Sequence, residues 1–252
     1  MISAAEKKLI RNLKQKKFRD TEKLFVVEGV KMVQEALDSS FMVHKLFVYK
    51  EGLFPSATQT HLITEQQMSE ITHLTTPSPA LALVEMRNLD VTLAIEGIDR
   101  SCLYLGIDSI RDPGNFGTMI RIAAWFGIKA IFASPDTVEL YNPKVVHASM
   151  GALFSVPVYY VDLCKIIDAL HIPIWGSALD GENLYQASLS KNGMIIIGNE
   201  STGISTALQK KIDRFLLIPP YPQNGNNAES LNAAVATAII CAEFRRRADV
   251  RF

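Results

Sequence analysis

The 252-residue sequence has no excess charge of either sign: 26 Lys and Arg balance 26 Asp and Glu. A protein-wide basic surface for nucleic acid is thereby excluded, and any such surface has to be local. Cysteine is scarce. Cys102, Cys164 and Cys241 are odd in number and each sits in an apolar run, which suits small buried hydrophobes in a reducing compartment rather than a disulfide frame or a zinc site. The five histidines are scattered without metal-ligand spacing, so no metal is expected. No apolar run approaches the roughly 18 residues needed to span a membrane. The opening MISAAEKKLIRNLKQKK lacks the apolar core of a secretory signal, and a cytoplasmic protein is expected. The sequence has no G-x-G-x-x-G fingerprint, no G-x-x-x-x-G-K-[ST] phosphate loop and no G-x-S-x-G nucleophile elbow. A nicotinamide or nucleoside-triphosphate enzyme is therefore disfavoured. With 48% hydrophobic residues, 21% charged, 14 Gly and 11 Pro, the composition is that of a globular chain able to bury a core without staples.

Charge is nevertheless uneven. Residues 1–23 carry eight basic side chains against three acidic ones. Leu9 and Leu13 lie one helical turn apart with Ile10 beside them, which predicts an amphipathic helix with a basic outer face. Such a face is either simply solvated or a phosphate-contacting arm, with Lys14, Lys16, Lys17 and Arg19 as its candidate contacts. Short apolar runs then alternate with helical patterns. Strands are predicted at 24–28, 43–49, 61–63 and 81–86, with helices at 29–37 and after a Thr64 cap. Residues 1–92 read as a small α/β domain, and 88–100, polar and without clear pattern, as a linker. From 100 to 252 the rhythm resumes with strands at 102–107, 129–133, 156–161, 172–179, 193–198 and 214–218. The helices between them run to Phe126, from Pro143 to Gly151, after Asp162, and from Ser230 to Arg247. This alternation predicts an α/β fold with a largely parallel sheet covered on both faces.

Ligands bind such sheets in the loops at the carboxyl ends of strands. Three of these loops are rich in Gly, Asn and acidic residues: Asp108 to Gly117 leading on to Arg121, Gly198-Asn199-Glu200-Ser201-Thr202-Gly203, and Ile218-Pro219 followed at a distance by Glu229-Ser230-Leu231-Asn232-Ala233. Glycine at these turns lets a ligand approach the backbone closely.

The three blocks resemble the three motifs of the SpoU (TrmH-like) RNA ribose methyltransferases of the SPOUT class. DPGNFGTMIRIAAWFGI (112–128) resembles the first, with Asn115, Gly117 and Arg121 at the family spacing. IIIGNESTGIS (195–205) resembles the second, and IP (218–219) with ESLNAAVATAI (229–239) the third. FVVEGVKMVQEAL (25–37) more weakly resembles the family's N-terminal RNA-substrate domain, whose fold is like that of a small ribosomal protein. The resemblance implies transfer of a methyl group from S-adenosylmethionine to a ribose 2′-hydroxyl of ribosomal or transfer RNA. It also implies a SPOUT-type domain with a deep trefoil knot, and a homodimer with sites at its interface. General topology rules count knots as essentially absent, so the knot is an implication of the resemblance alone.

The donor methyl is already activated on a sulfonium, so the protein has to bury the donor, align the hydroxyl and manage one proton, without a metal. Ala178, Leu179, Ile218 and Leu231 suit the walls of an adenine site; backbone around Gly198, Ile218 and Leu231 suits its edges. Asn199, Gly203, Pro219, Ser230, Asn232 and Ala233 complete the donor-binding set that the resemblance implies. Asn115, Arg121 and Glu200 are the candidate catalytic residues, and Arg111 joins the RNA contacts. Asn115 also reads as a helix N-cap, and Glu200 as a loop or capping carboxylate. A guanidinium has a pKa above about 12, so turning one into a neutral base at pH 7 costs about 7–9 kcal/mol. The expected role of Arg121 is therefore a charged grip on RNA phosphate and on the developing alkoxide. Arg245-Arg246-Arg247 read equally as an RNA or partner contact and as a helix end favourable to the dipole. One departure from the family stands out: residues 220–228 lengthen the usual short glycine-containing loop after Ile218-Pro219 by roughly four residues. It is expected to tune donor access, and it leaves open a non-catalytic RNA-binding protein that keeps the fold. An α/β nucleotide-binding enzyme of other chemistry is the weaker alternative.

Overall fold

The computed structural model describes residues 2–55, 57, 60–222 and 229–248. Most of the lengthened loop, 223–228, lies outside the described residues. The chain forms two compact units, residues 1–88 with 139–155, and residues 89–138 with 156–252.

The first unit opens with two helices where one was predicted: α1 (Ala4–Asn12), begun by a Ser3–Glu6 capping box, and α2 (Lys16–Glu22). The break falls at Leu13–Gln15. There Leu13 is fully buried, and Lys23 ends α2 in the left-handed conformation. Their apolar residues Ile10 and Leu13 join Leu24, Val26, Phe47, Met68 and Leu83 in one core. Part of the charged surface of α1 is docked. Lys7 pairs with Glu70 at 2.6 Å, Arg11 donates to the Glu70 carbonyl, and Lys45 reaches Glu6 at 2.6 Å. Strands β1 (Leu24–Glu28), β2 (Val43–Val48), β3 (Thr60–Leu62) and β4 (Ala80–Glu85) form a mixed sheet in the order β1-β4-β2-β3. It is flanked by α3 (Val30–Asp38) and α4 (Glu65–Ile71), the latter capped by Thr64.

The predicted linker is not patternless. Asp90 caps a short helix, α5 (Val91–Glu96), and Val91, Ile95 and Ile98 pack on the core of the second unit. Three apolar residues spaced four and three apart are a helical stripe too short to stand out among the polar residues around it.

The second unit is a wholly parallel six-stranded sheet in the order β10-β8-β9-β5-β6-β7. Its strands are β5 (Leu103–Ile107), β6 (Ile131–Ala133), β7 (Val158–Tyr160), β8 (Ile174–Asn183), β9 (Gly193–Ile197) and β10 (Arg214–Leu217). The central strands β5 and β9 are buried at every residue, which is why they read as continuous apolar runs rather than alternating ones. Helices α6 (Pro113–Trp125), α8 (Leu163–Leu170), α9 (Thr206–Gln209) and α10 (Ala233–Ala248) cover the sheet. At the end of α10, Arg245 donates to the carbonyls of Phe126 and Gly127, Arg247 to those of Leu184, Tyr185 and Ala187, and Glu243 pairs with Arg246 and Arg247. Arg245 and Arg247 thus hold this helix end in place within their own unit.

The helix that follows β6, α7 (Pro143–Ser149), departs from the predicted pattern. Instead of covering the parallel sheet it belongs to the first unit. Tyr141 lies 4.5 Å from the Phe25 ring of β1, and Phe154 lies 5.1 Å from Phe41. Beside this aromatic cluster Arg19, only 2% exposed, is ion-paired with Glu139 and donates to the Leu13 carbonyl. Arg19 is therefore not a phosphate contact: its guanidinium is committed inside the unit, whereas Lys14, Lys16 and Lys17 are exposed.

Removing one partner of a buried ion pair strands the other charge away from water. Arg19→Ala is expected to destabilise the first unit by about 3–5 kcal/mol, against about 0.5 kcal/mol or less for Lys16→Ala on the surface. Urea unfolding checks this, and equal midpoints for the two variants would contradict it.

Candidate active site

The three loops singled out by composition meet at one end of the parallel sheet. The first follows β5. Asp108, 4% exposed, accepts from the Ser205 amide of the second loop at 2.7 Å. Ser109 takes a positive φ of 59°, its carbonyl accepts from Asn199 at 2.8 Å, and its hydroxyl donates to Asp136. The hydroxyls of Ser109 and Ser134 hold the Asp136 carboxyl below its ordinary range. Asp112 caps α6 by accepting from the Asn115 amide at 2.7 Å. Asn115 is therefore not the cap: it lies in the first turn, with its side chain free for other partners.

The second loop follows β9 and folds back on itself. Asn199 and Gly203 exchange backbone hydrogen bonds, and the Asn199 side chain accepts from the Ser201 and Thr202 amides. Both glycines are required here. A Cβ on Gly198 would stand 2.3 Å from the carbonyl carbon of Gly203, and Gly203 has a φ of +65°, a region that favours glycine. Gln209 braces the turn by donating to the Ile204 carbonyl at 2.7 Å. The third loop ends where Asn232 opens α10, its side-chain oxygen accepting from the Ala234 and Val235 amides.

One chain of side-chain hydrogen bonds joins all three loops. Asn232 Nδ2 donates to Asn115 Oδ1 at 2.8 Å, and Asn115 Nδ2 donates to Glu200 Oε1. Beside it lies a cavity of about 530 Å³ lined from β8 (177–180), the second loop (197–204), the end of β10 (215–218) and the start of α10. Of the donor-binding candidates, Ala178, Leu179, Gly198, Asn199, Gly203, Ile218, Ser230, Leu231 and Ala233 line it, together with Glu200. Pro219 and Asn232 do not. Leu179 is 70% and Leu231 47% exposed, so two large apolar side chains stand in water, as they would around a ligand that covers them. The volume lies within the roughly 300–1,000 Å³ of small-molecule sites. Its apolar walls and backbone edges fit a flat heterocycle with polar rims. Among the described residues, no three His, Cys, Asp or Glu are grouped to hold a metal ion.

Arg121 lies on α6 outside the cavity lining, exposed and without an ion-pair or hydrogen-bond partner among the described residues. Arg111 is exposed on the first loop. Sequence reasoning missed Ser177, Asp180, Gln209, Ala236 and Ile240 in the lining. Ala236 and Ile240 could have been found, because they share one helical face with Ala233. Gln209 carried no signal, since its role is set by where the second loop's carbonyl points.

Residues 102–242 match the SpoU rRNA methylase family, and residues 6–82 match the MRM3-like substrate binding domain. The chain is 32% identical over 255 residues to the 23S rRNA (guanosine(2553)-2′-O)-methyltransferase of Bacillus subtilis, covering 97% of this chain and 98% of that protein. It is similar in structure to a TrmH-family protein of Porphyromonas gingivalis, with a TM-score of 0.85 at 33% identity over 98% of this chain and 99% of the other. It is likewise similar to the AdoMet-bound rRNA methyltransferase of Sinorhizobium meliloti, with a TM-score of 0.85 at 27% identity over 98% and 97%. The parallel α/β unit is thus of the SPOUT class.

The contact between the two asparagines is expected to be energetically coupled. Asn232→Ala should cost about 0.5–2 kcal/mol through loss of its cap. Combined with Asn115→Ala, the sum should be non-additive by about 0.5 kcal/mol or more. A double-mutant cycle by urea unfolding measures this; strict additivity would show that the two side chains act independently.

Proposed function

The chain belongs to the SpoU rRNA methylase family, and from that premise and the site geometry we propose that it transfers a methyl group from S-adenosylmethionine to a ribose 2′-hydroxyl of ribosomal or transfer RNA. The observation that carries the reading is the Glu200–Asn115–Asn232 chain beside the cavity. It supports the reading because Glu200, which lines the cavity, accepts from an amide of the first loop that is itself anchored on the third. When bound, S-adenosylmethionine supplies a methyl group already activated on a sulfonium.

The protein's own residues supply position and charge. Ala178, Leu179, Ile218 and Leu231 would hold the donor's adenine, and the backbone of 198–203 and 218 would meet its edges. Asn115 is locked by its two partners and orients Glu200. Arg121, with nothing else to engage, grips the RNA phosphate and favours negative charge developing on the attacking oxygen. The hydroxyl proton leaves late, to water or with the help of Glu200. Lys14, Lys16, Lys17 and Arg111 add phosphate contacts, and the first unit, residues 1–88 with 139–155, forms the RNA-substrate domain.

The protein acts as a homodimer. Trp125 at the end of α6 is 84% exposed and Val235 on α10 48%, apolar surface on two mutually packed helices that a second subunit would cover. No helix among the described residues is long and apolar enough to cross a membrane, and all three cysteines are free. The free thiols support a cytoplasmic setting, where its RNA resides.

Single-turnover transfer of labelled methyl to RNA, at saturating RNA and donor, tests the assignment. Arg121→Ala should lose about a hundredfold or more in rate with donor affinity nearly intact, and Arg121→Lys should keep part of the activity. An alanine variant as fast as the unaltered protein would end Arg121's catalytic role. Replacing Lys14, Lys16 and Lys17 together should flatten the salt dependence of RNA affinity by about 0.7–0.9 in slope per lost contact, with donor binding unchanged. An unaltered slope would leave them as a solvated face. Light scattering should give twice the 28.0 kDa chain mass; a stable monomer at micromolar concentration would contradict the dimer.

A further inference from the structure

The first unit contains a second pocket, of about 190 Å³, between β1, α3, the 73–74 turn and α7. Its chemistry is layered. Val26 and Met32 give apolar walls, and Lys144 and His147 stand exposed on α7. Among the residues lining it is Glu28, 7% exposed at the end of β1. The Glu28 carboxylate accepts from the Thr72 hydroxyl on one oxygen and from the His73 amide, at 2.7 Å, on the other. A carboxylate offers about four lone-pair sites, so each oxygen retains capacity for a further donor. His73 cannot supply one from its ring. Its Nε2 is engaged with the Ile10 carbonyl at 2.8 Å, which makes it the protonated nitrogen and leaves Nδ1 an acceptor, buried without a partner. Burial holds this imidazole neutral, with a pKa near 4, and pushes the Glu28 carboxyl up from its ordinary value. Nearby Lys14 and His147 offset only part of that cost. A buried acceptor set with spare lone pairs is stabilised by a ligand that brings donors and no acceptors.

The volume is room for about six waters and suits one flat ring system rather than a whole nucleotide. Single-stranded RNA is read by splaying bases out and hydrogen-bonding their edges. Among the four bases, guanine presents two adjacent N–H donors on its Watson–Crick edge, from N1 and the exocyclic amine. Adenine and cytosine set their amine beside an acceptor, and uracil flanks its one N–H with two. We propose that this pocket takes one guanine of the RNA, splayed from its stack, with Glu28 reading the two donors and Lys144 meeting the adjoining phosphate. This inference rests on the RNA reading above and adds a specificity site to it; the guanine is not assigned as the methylated nucleotide.

Fluorescence anisotropy with three labelled oligouridylates, carrying a single central guanosine, inosine or adenosine, tests it on the full chain. Inosine keeps the N1 donor and lacks the amine, so guanosine should bind about tenfold or more tighter than inosine, and adenosine weakest. Glu28→Gln, which preserves shape and removes the charge, should erase the ranking while leaving S-adenosylmethionine affinity unchanged. Lys144→Ala, on the surface, should weaken all three RNAs alike and keep the ranking. Equal affinities with the unaltered protein, or a ranking that survives Glu28→Gln, would overturn the pocket's role while leaving the RNA reading in place. Binding of none of the three would contradict the RNA reading itself and the pocket with it.

Discussion

The orientation of one side-chain amide, that of Asn115, decides how the active-site loops can assemble. Asn232 spends its oxygen on the amides that open α10 and has only Nδ2 left to offer. Asn115 must therefore present its oxygen to Asn232 and its nitrogen to Glu200, which can only accept when ionised. The flip state of both amides follows from that logic. An aspartate at 115 would set two carboxylates against each other, and a hydrophobe would leave a donor and an acceptor unmatched. Partners 85 and 117 residues away in sequence are in this way held to one geometry. The parallel sheet has already brought the loops to the same edge.

Much of this was legible. Strands buried on both faces announced themselves as continuous apolar runs, and the caps at Thr64 and Asp162 and the first-turn Pro143 stand where their residue types suggest. Most of the donor-site candidates line the cavity because they cluster in loops at the carboxyl ends of parallel strands, where such sheets leave room for ligands. Pro219 and Asn232 fall outside its lining, and for Asn232 the reason is physical: a side chain that caps a helix and orients a neighbour has no edge left for the ligand.

Other features were hidden because local pattern is silent about partners. Arg19 looks like its neighbours Lys16 and Lys17 in any window of sequence. What distinguishes it is Glu139, more than a hundred residues on, with which it pairs in the interior of the first unit. The same holds for α7, whose apolar residues would have served equally well on the parallel sheet. Threading is more opaque still: a knotted and an unknotted chain with the same strands share one hydrophobic pattern, so alternation carries no trace of a knot.

In the proposed reaction the methyl group arrives on a ribose oxygen. Alkaline cleavage of RNA needs a free 2′-hydroxyl to attack the neighbouring phosphate, so a 2′-O-methylated nucleotide survives as an alkali-stable dinucleotide. After reaction of the protein with labelled S-adenosylmethionine and unmodified ribosomal and transfer RNA, alkaline hydrolysis and mass spectrometry should find the label in such dinucleotides. Label confined to mononucleotides would place the methyl on a base, and no transfer to either RNA would remove the catalytic reading altogether.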